Sequence, residues 1–219
     1  MKQKILLCLL LAGSFYLTTN AQIQKGKWIG ELTLSGENKR STGYDNNVYN
    51  SNYLENSIGT SIVFNKILNK NLMLGVGLNF NTFMKSYYST QIPSNSTRFL
   101  EESYGPIAQI GYYKEVAKNL FLFSVFQMRY NYLGRKYRGE YNYPTEKRNN
   151  ENGRQVAFTA TPLQLNYLFK KRYLIGLNLA TINYYNNKIT DKNFSYTIEN
   201  YTYSLNPFRN GITFSYIFK

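Results

Sequence analysis

Histidine is absent from the chain, and cysteine occurs once, at Cys8 within the first apolar run. Without histidine there is no Ser-His-Asp triad and no imidazole base. Without further cysteine there is neither a thiolate nucleophile nor a zinc site built from the usual nitrogen and sulfur ligands. Acids are also scarce, 12 Asp and Glu against 26 Lys and Arg, and there are only 5 Pro. No stretch approaches the roughly 20 consecutive apolar residues of a transmembrane helix. The residues that are abundant favour strands and turns, with 22 Tyr, 14 Phe and many Asn. These absences lead us to expect neither catalysis nor a cofactor nor a metal.

At the N-terminus Lys2 and Lys4 precede a short apolar run over residues 5–12, and Thr19, Asn20 and Ala21 follow as a small-residue cleavage site. This reads as a secretory signal peptide over residues 1–21, which leaves one domain over residues 22–219 with no disulfide to staple it. The surplus of basic residues points to an anionic glycolipid surface rather than to nucleic acid, which an exported chain rarely meets.

From residue 27 onwards hydrophobicity alternates with period two, as in strands with one apolar face. In the first strand Trp28, Gly30, Leu32 and Leu34 oppose Ile29, Glu31, Thr33 and Ser35. The same reading gives eight strands: residues 27–35, 56–64, 72–81, 98–113, 120–133, 154–167, 173–185 and 206–219. Residues 36–55, 86–97, 134–153 and 186–200 read as long polar loops, and residues 65–71, 114–119 and 169–172 as tight turns. Gly105 and Pro106 read as a bulge. Long and short connections alternate, as in an up-and-down antiparallel barrel, and an even strand number puts both termini on one side. A soluble lipocalin-like barrel would turn its apolar residues inward. Here Glu31, Gln109, Gln127, Arg129, Gln164, Asn166 and Asn178 fall opposite the apolar face, so the interior is expected to be polar and filled by side chains.

The last strand carries Ile212, Phe214, Tyr216 and Phe218 on one face, against Gly211, Thr213, Ser215 and Ile217. It resembles the C-terminal strand of bacterial outer-membrane β-barrels, which ends in an outward-facing Phe, although here Lys219 follows Phe218. Over nearly all of residues 27–219 the chain resembles the small eight-stranded outer-membrane barrels of the OmpA-like and OmpX-like kind. That resemblance implies an all-β, antiparallel transmembrane barrel in the bacterial outer membrane, with both termini periplasmic. It also implies that Phe214, Tyr216 and Phe218 form a signal to the barrel-assembly machinery. About activity it implies little, because porin-like, adhesive and enzymatic members share the architecture.

Within such a barrel Glu31 and Arg129 would form either an ion pair acting as a gate or part of a structural network with the luminal amides. Glu101 and Glu102 are adjacent, but read as solvated charges rather than a carboxylate pair. Gly75 and Gly77 read as inward glycines making room for neighbours, not as a phosphate loop. Arg135, Lys136, Arg138, Lys147, Arg148 and Arg154 cluster around the third loop and could meet lipopolysaccharide phosphates. Tyr44, Tyr49, Tyr53, Tyr87, Tyr88, Tyr137, Tyr141 and Tyr143 suit either an aromatic girdle or an adaptable surface for an extracellular ligand. The expected role is a non-enzymatic barrel serving envelope integrity or surface binding. A small-solute pore is the alternative, and an envelope-lipid enzyme a more distant one.

Overall fold

The computed structural model describes residues 23, 25–45, 49–69, 71–89, 96–139, 151–190, 195–205 and 210–218, with the backbone alone at 39, 41–45, 49–53, 87–89, 96, 97 and 137–139. The expected signal peptide lies outside them. Alternating side chains and a backbone that must pair its polar groups produce nine strands: β1 (Trp28–Asp45), β2 (Tyr49–Ile67), β3 (Leu72–Ser89), β4 (Ser96–Ala117), β5 (Leu120–Gly139), β6 (Glu151–Phe169), β7 (Tyr173–Thr190), β8 (Ser195–Ser204) and β9 (Ile212–Ile217). All neighbours are antiparallel. The ring runs from β1 to β7 in chain order and returns through β9 to β1, while β8 continues the eighth position along the edge of β7. The fold is therefore an eight-stranded up-and-down barrel whose last strand is broken in two.

The strands are longer than their apolar alternation. Much of each expected polar loop is strand: β1 and β2 stay paired out to Asp45 and Tyr49, and β7 and β8 out to Thr190 and Ser195. Backbone ladders do not require an apolar face, so pairing continued where the sustained apolar alternation ended. The expected bulge at Gly105 and Pro106 does not form, because both keep regular register with Asn79 and Leu78. Register instead shifts between Glu115 and Ala117, between Phe123 and Val125, and between Ala160 and Leu163. At the last of these Pro162 has no N–H to donate, and its carbonyl accepts from Ser124 Oγ at 2.7 Å.

Side-chain direction follows the alternation read from the sequence. Ile58, Val76 and Leu78, 65 to 67 % exposed, face outward, whereas Ile29, Val63, Met73 and Phe121 are buried inside. The lower end is the one holding the tight turns, the start of β1 and the end of β9. There Ile23, Ile29, Ile67, Met73, Tyr113, Phe121, Phe123, Leu168, Leu174 and Ile217 pack into an apolar floor. The sequence reading had expected a polar interior throughout.

The upper half differs in closure as well as in filling. The β1–β9 ladder runs from Ile29–Ile217 to Leu34–Ile212; above it β1 pairs only with β2, and β8 only with β7. Among the described residues the wall thus has an unpaired seam in its upper half. On one side of it Tyr201, Tyr203 and Leu205 are 76, 81 and 80 % exposed, more than any large hydrophobic residue elsewhere on the wall. Between Ile212 and Ser204, which face Leu177 and Thr181 of β7, the last strand carries residues 205–211 where β7 carries only residues 178–180. At this break Asn210 accepts from Thr181 Oγ1 at 2.9 Å and donates to Ser204 O at 3.1 Å.

Candidate functional site

Above the floor the lumen is built from amides and hydroxyls, each held by its position on a neighbouring strand. Gln127 Nε2 donates to Gln109 Oε1 at 2.8 Å, and Gln109 Nε2 to Asn65 Oδ1 at 2.7 Å. Gln164 Nε2 donates to Asn166 Oδ1 at 3.2 Å on the opposite side. The expected room made by Gly75 is used, because the Asn65 amide occupies the space a Cβ there would take.

A second chain of amides crosses higher up. Asn81 donates to Asn79 at 2.9 Å, Asn79 to Asn131 at 2.8 Å, Asn131 to Gln155 at 2.8 Å, and Gln155 to Asn187 at 3.0 Å. Asn79 on β3 reaches Asn131 on β5 only because Gly105 on the intervening β4 has no side chain, and a Cβ there would strike Asn131. Satisfied networks of this kind fix side chains in place, since each unmade bond inside a barrel costs about 1–3 kcal/mol. Of the luminal residues expected from sequence, all seven face inward. Asn79, Asn131, Gln155 and Asn187 complete the network; sequence alternation puts Asn79 and Asn131 on the inward face, but none of the four was among the luminal residues expected to bond to one another.

Glu31 and Arg129 do not pair. Their rows are continuous around the wall, Glu31 with Val63, Val63 with Gly77, Gly77 with Ile107, Ile107 with Arg129. In a tilted barrel such a row climbs, and half a circuit raises it on the order of 10 Å. Glu31 accordingly sits three residues above the start of β1, and Arg129 nine above the start of β5, on the opposite wall. Arg129 donates through Nη2 to Thr159 Oγ1, which in turn donates to Asn183 Oδ1 at 2.7 Å.

At the mouth Arg135 Nε donates to Glu101 Oε2 at 2.7 Å and stands 3.8 Å from Glu151, with its guanidinium 5.5 Å from the Phe99 ring centroid. Arg135 is 7 % exposed, which corrects its expected place among lipid-facing cations: odd positions of upper β5 point inward. The same alternation separates Glu101, inside with Arg135, from Glu102, which lies outside and 3.2 Å from Lys136 Nζ. They cannot act as a carboxylate pair. Tyr196 donates to Glu151 Oε2 at 2.8 Å over the mouth. Burial, with this hydrogen bond, raises its phenol above the ordinary range.

Outside, Lys136 and Arg154 are exposed as expected, and Lys188, which faces Arg154 across the ladder, joins them. They stand just above Tyr104, Tyr132, Tyr184 and Tyr201. Lys147, Arg148, Tyr141 and Tyr143, and the side chains of Arg138, Tyr44, Tyr49, Tyr53, Tyr87, Tyr88 and Tyr137, lie outside the described residues. Phe214 and Phe218 are exposed on the outer face, and Tyr216 lies between them, 5.0 Å from Phe218 and 5.3 Å from Tyr173 by ring centroids.

The lumen holds a cavity of about 690 Å³ whose lining extends from Arg129 and Arg135 on β5 round to Glu31 and Thr33 on β1, Asn178 on β7 and Thr213 on β9. Among the described residues no group of carboxylates could hold a metal ion.

No protein-family model and no curated protein matches this chain. Among solved structures it is similar to the crystal structure of the outer membrane protein OprG from Pseudomonas aeruginosa, at 12 % identity and a TM-score of 0.42, over 91 % of this chain and 99 % of that one.

Proposed function

We propose that the chain is an outer-membrane barrel that acts without catalysis, closing its lumen with an apolar floor and holding long upper hairpins outside the membrane. Cleavage after residue 21 would deliver it to the periplasm, and both termini of the chain would stay on that side. The observation that carries this reading is the inverted amphipathicity of the wall. Exposed Leu, Ile, Val and Phe form a band, with Trp28, Tyr112, Tyr167 and Tyr173 at its lower rim and Tyr104, Tyr132, Tyr184 and Tyr201 at its upper rim. From Leu122 to Tyr132 on β5 the ten residue steps, at roughly 3.3 Å each and a tilt near 40°, span about 25 Å, the height of the apolar band in such barrels. Above the rim the outer face turns at once to Glu102, Lys136, Arg154 and Lys188. Water on one side of that change and lipid on the other would account for it.

The floor favours a scaffold over a pore. An eight-stranded ring has little free lumen, and here its lower end is occupied by packed Phe, Tyr, Met and Ile. The role is then envelope integrity, or surface binding through the upper hairpins, with Lys136, Arg154 and Lys188 meeting lipopolysaccharide phosphates. The test is fractionation with outer membranes, together with a heat-dependent gel shift and planar-bilayer recording of the purified barrel. A chain that stays soluble without detergent overturns the membrane reading, and steady conductance steps overturn the scaffold in favour of a small-solute pore. Phe218→Ala is expected to lower barrel levels in the membrane through loss of the outward terminal aromatic, and unchanged levels would remove the assembly signal.

A further inference from the structure

The lumen inverts the charge of the chain. Lys and Arg outnumber Asp and Glu by 26 to 12 overall, yet the cavity is lined by Glu31, Glu37, Glu55 and Glu101 against Arg129 and Arg135. Glu55 is matched by Lys85 at 2.7 Å and Glu101 by Arg135 at 2.7 Å, and Glu37 also has a partner. Glu31 differs. It is 5 % exposed, stands directly above the apolar floor, and among the described residues has no Lys or Arg within ion-pair distance.

Asn178 lines the same cavity. Asn178 donates through Nδ2 to Asn210 O at 3.1 Å, and its Oδ1 is buried with no donor. The two residues belong to the same side of the barrel, since only β9 separates β1 from β7. The row from Glu31 passes through Ser215 to Leu174, descending as it goes, so Asn178, four residues above Leu174, returns to about the height of Glu31. Thr33 and Thr213 lie between them, their hydroxyls 3.3 Å apart.

A buried carboxylate whose side-chain donor is the Thr33 hydroxyl and which has no cation beside it, together with an amide oxygen that has no donor, suits a ligand that brings N–H groups and a positive charge. A hard metal cation would want six or more oxygens including several carboxylates, which the described residues do not supply. A neutral sugar would leave the buried carboxylate uncompensated, and an anion would be repelled by it. The volume of about 690 Å³ suits a small molecule. We propose that the lower part of this cavity is a binding site for a small primary ammonium ion, held by the Glu31 carboxylate and the Asn178 side-chain oxygen. The inference does not depend on where the barrel resides.

The experiment is isothermal titration of the purified, refolded barrel in detergent with ethanolamine, ethylene glycol and tetramethylammonium. Ethanolamine is expected to bind. Ethylene glycol, which lacks the charge, should not, and tetramethylammonium, which lacks N–H donors, should bind more weakly. Glu31→Gln should weaken ethanolamine binding about thirtyfold or more, and Glu31→Asp, which keeps the charge, should retain most of it. The heat-dependent gel shift verifies that each variant is folded, and Glu31→Asp keeps the test open if the Gln variant is not. Repeating the titration in bilayers with and without phosphatidylethanolamine identifies the source: competition marks a lipid headgroup, its absence a free amine. No ethanolamine binding, or equal binding by the wild type and a folded Glu31→Gln variant, overturns the proposal.

Discussion

Below the Gln109–Asn65 hydrogen bond the lumen is filled by Ile, Met, Phe, Leu and Tyr in a fully paired ring. Above it the filling is Asn, Gln, Thr and an Arg–Glu cluster, and among the described residues the ring is unpaired between β1 and β8. Apolar packing is non-directional and depends on volume, so the floor gains most where the wall is complete and water is excluded. Amides need particular partners but tolerate neighbouring water, so they can line a hollow beside an open edge. The comparison teaches that stability and any ligand chemistry are assigned to different heights of one barrel.

The sharpest way to break that division is to empty the floor. Phe123→Ala removes a buried ring that packs 5.5 Å from Tyr113, and should cost about 3–5 kcal/mol of refolding free energy. A cost below about 1 kcal/mol, the scale of a surface change, would show that the floor does not anchor the fold. On the outer wall Leu78→Arg should cost about 2–4 kcal/mol when the barrel is refolded into lipid vesicles, if the band meets hydrocarbon. A neutral result there would detach the exposed face from lipid.

Smaller effects are expected towards the mouth. Arg135→Ala leaves Glu101 and Glu151 without their shared cation and should cost about 1–3 kcal/mol, whereas Lys136→Ala, at an exposed pair, should cost less than about 1 kcal/mol. Equal losses measured by urea titration would mean that burial does not distinguish the two pairs. The smallest effect is at Tyr196. Its raised phenol contributes stability that is complete below the unfolded pKa and is lost as pH rises through the higher folded value. Tyr196→Phe should therefore flatten the alkaline limb of the stability profile, and an unchanged limb would exclude this contribution.

How far the sequence announced this arrangement depended on whether one face of a strand was apolar. The outward set Ile58, Val76, Leu78 and Phe214, and the inward set Glu31, Gln109 and Asn178, were legible because they alternate. The extensions to Asp45, Ser89, Gly139 and Thr190 were not, since their sequences carry no sustained apolar alternation and pairing makes them strands. The break in the last strand was hidden for a similar reason: residues 206–209 read as the start of a strand, and the register shift against β7 appears only once both ladders are aligned. Inward Arg135 was misassigned because a basic run was taken as a loop, where alternation would have put Lys136 and Arg135 on opposite faces. The climb that parts Glu31 from Arg129 is a property of the closed ring, and no pair of strands contains it.

The short closing ladder also sets the order of events during folding. Among the described residues the circle is joined only where residues 28–34 meet residues 212–218, one stretch near each end of the chain. Such contacts close the longest loop available and form late, because that entropy is spent before any pair rewards it. Seven hairpins can form locally and wait as a curved sheet with two sticky edges. Commitment then rests on this one short ladder, so a chain stopped before Ile212 remains an open sheet however well its earlier strands have formed.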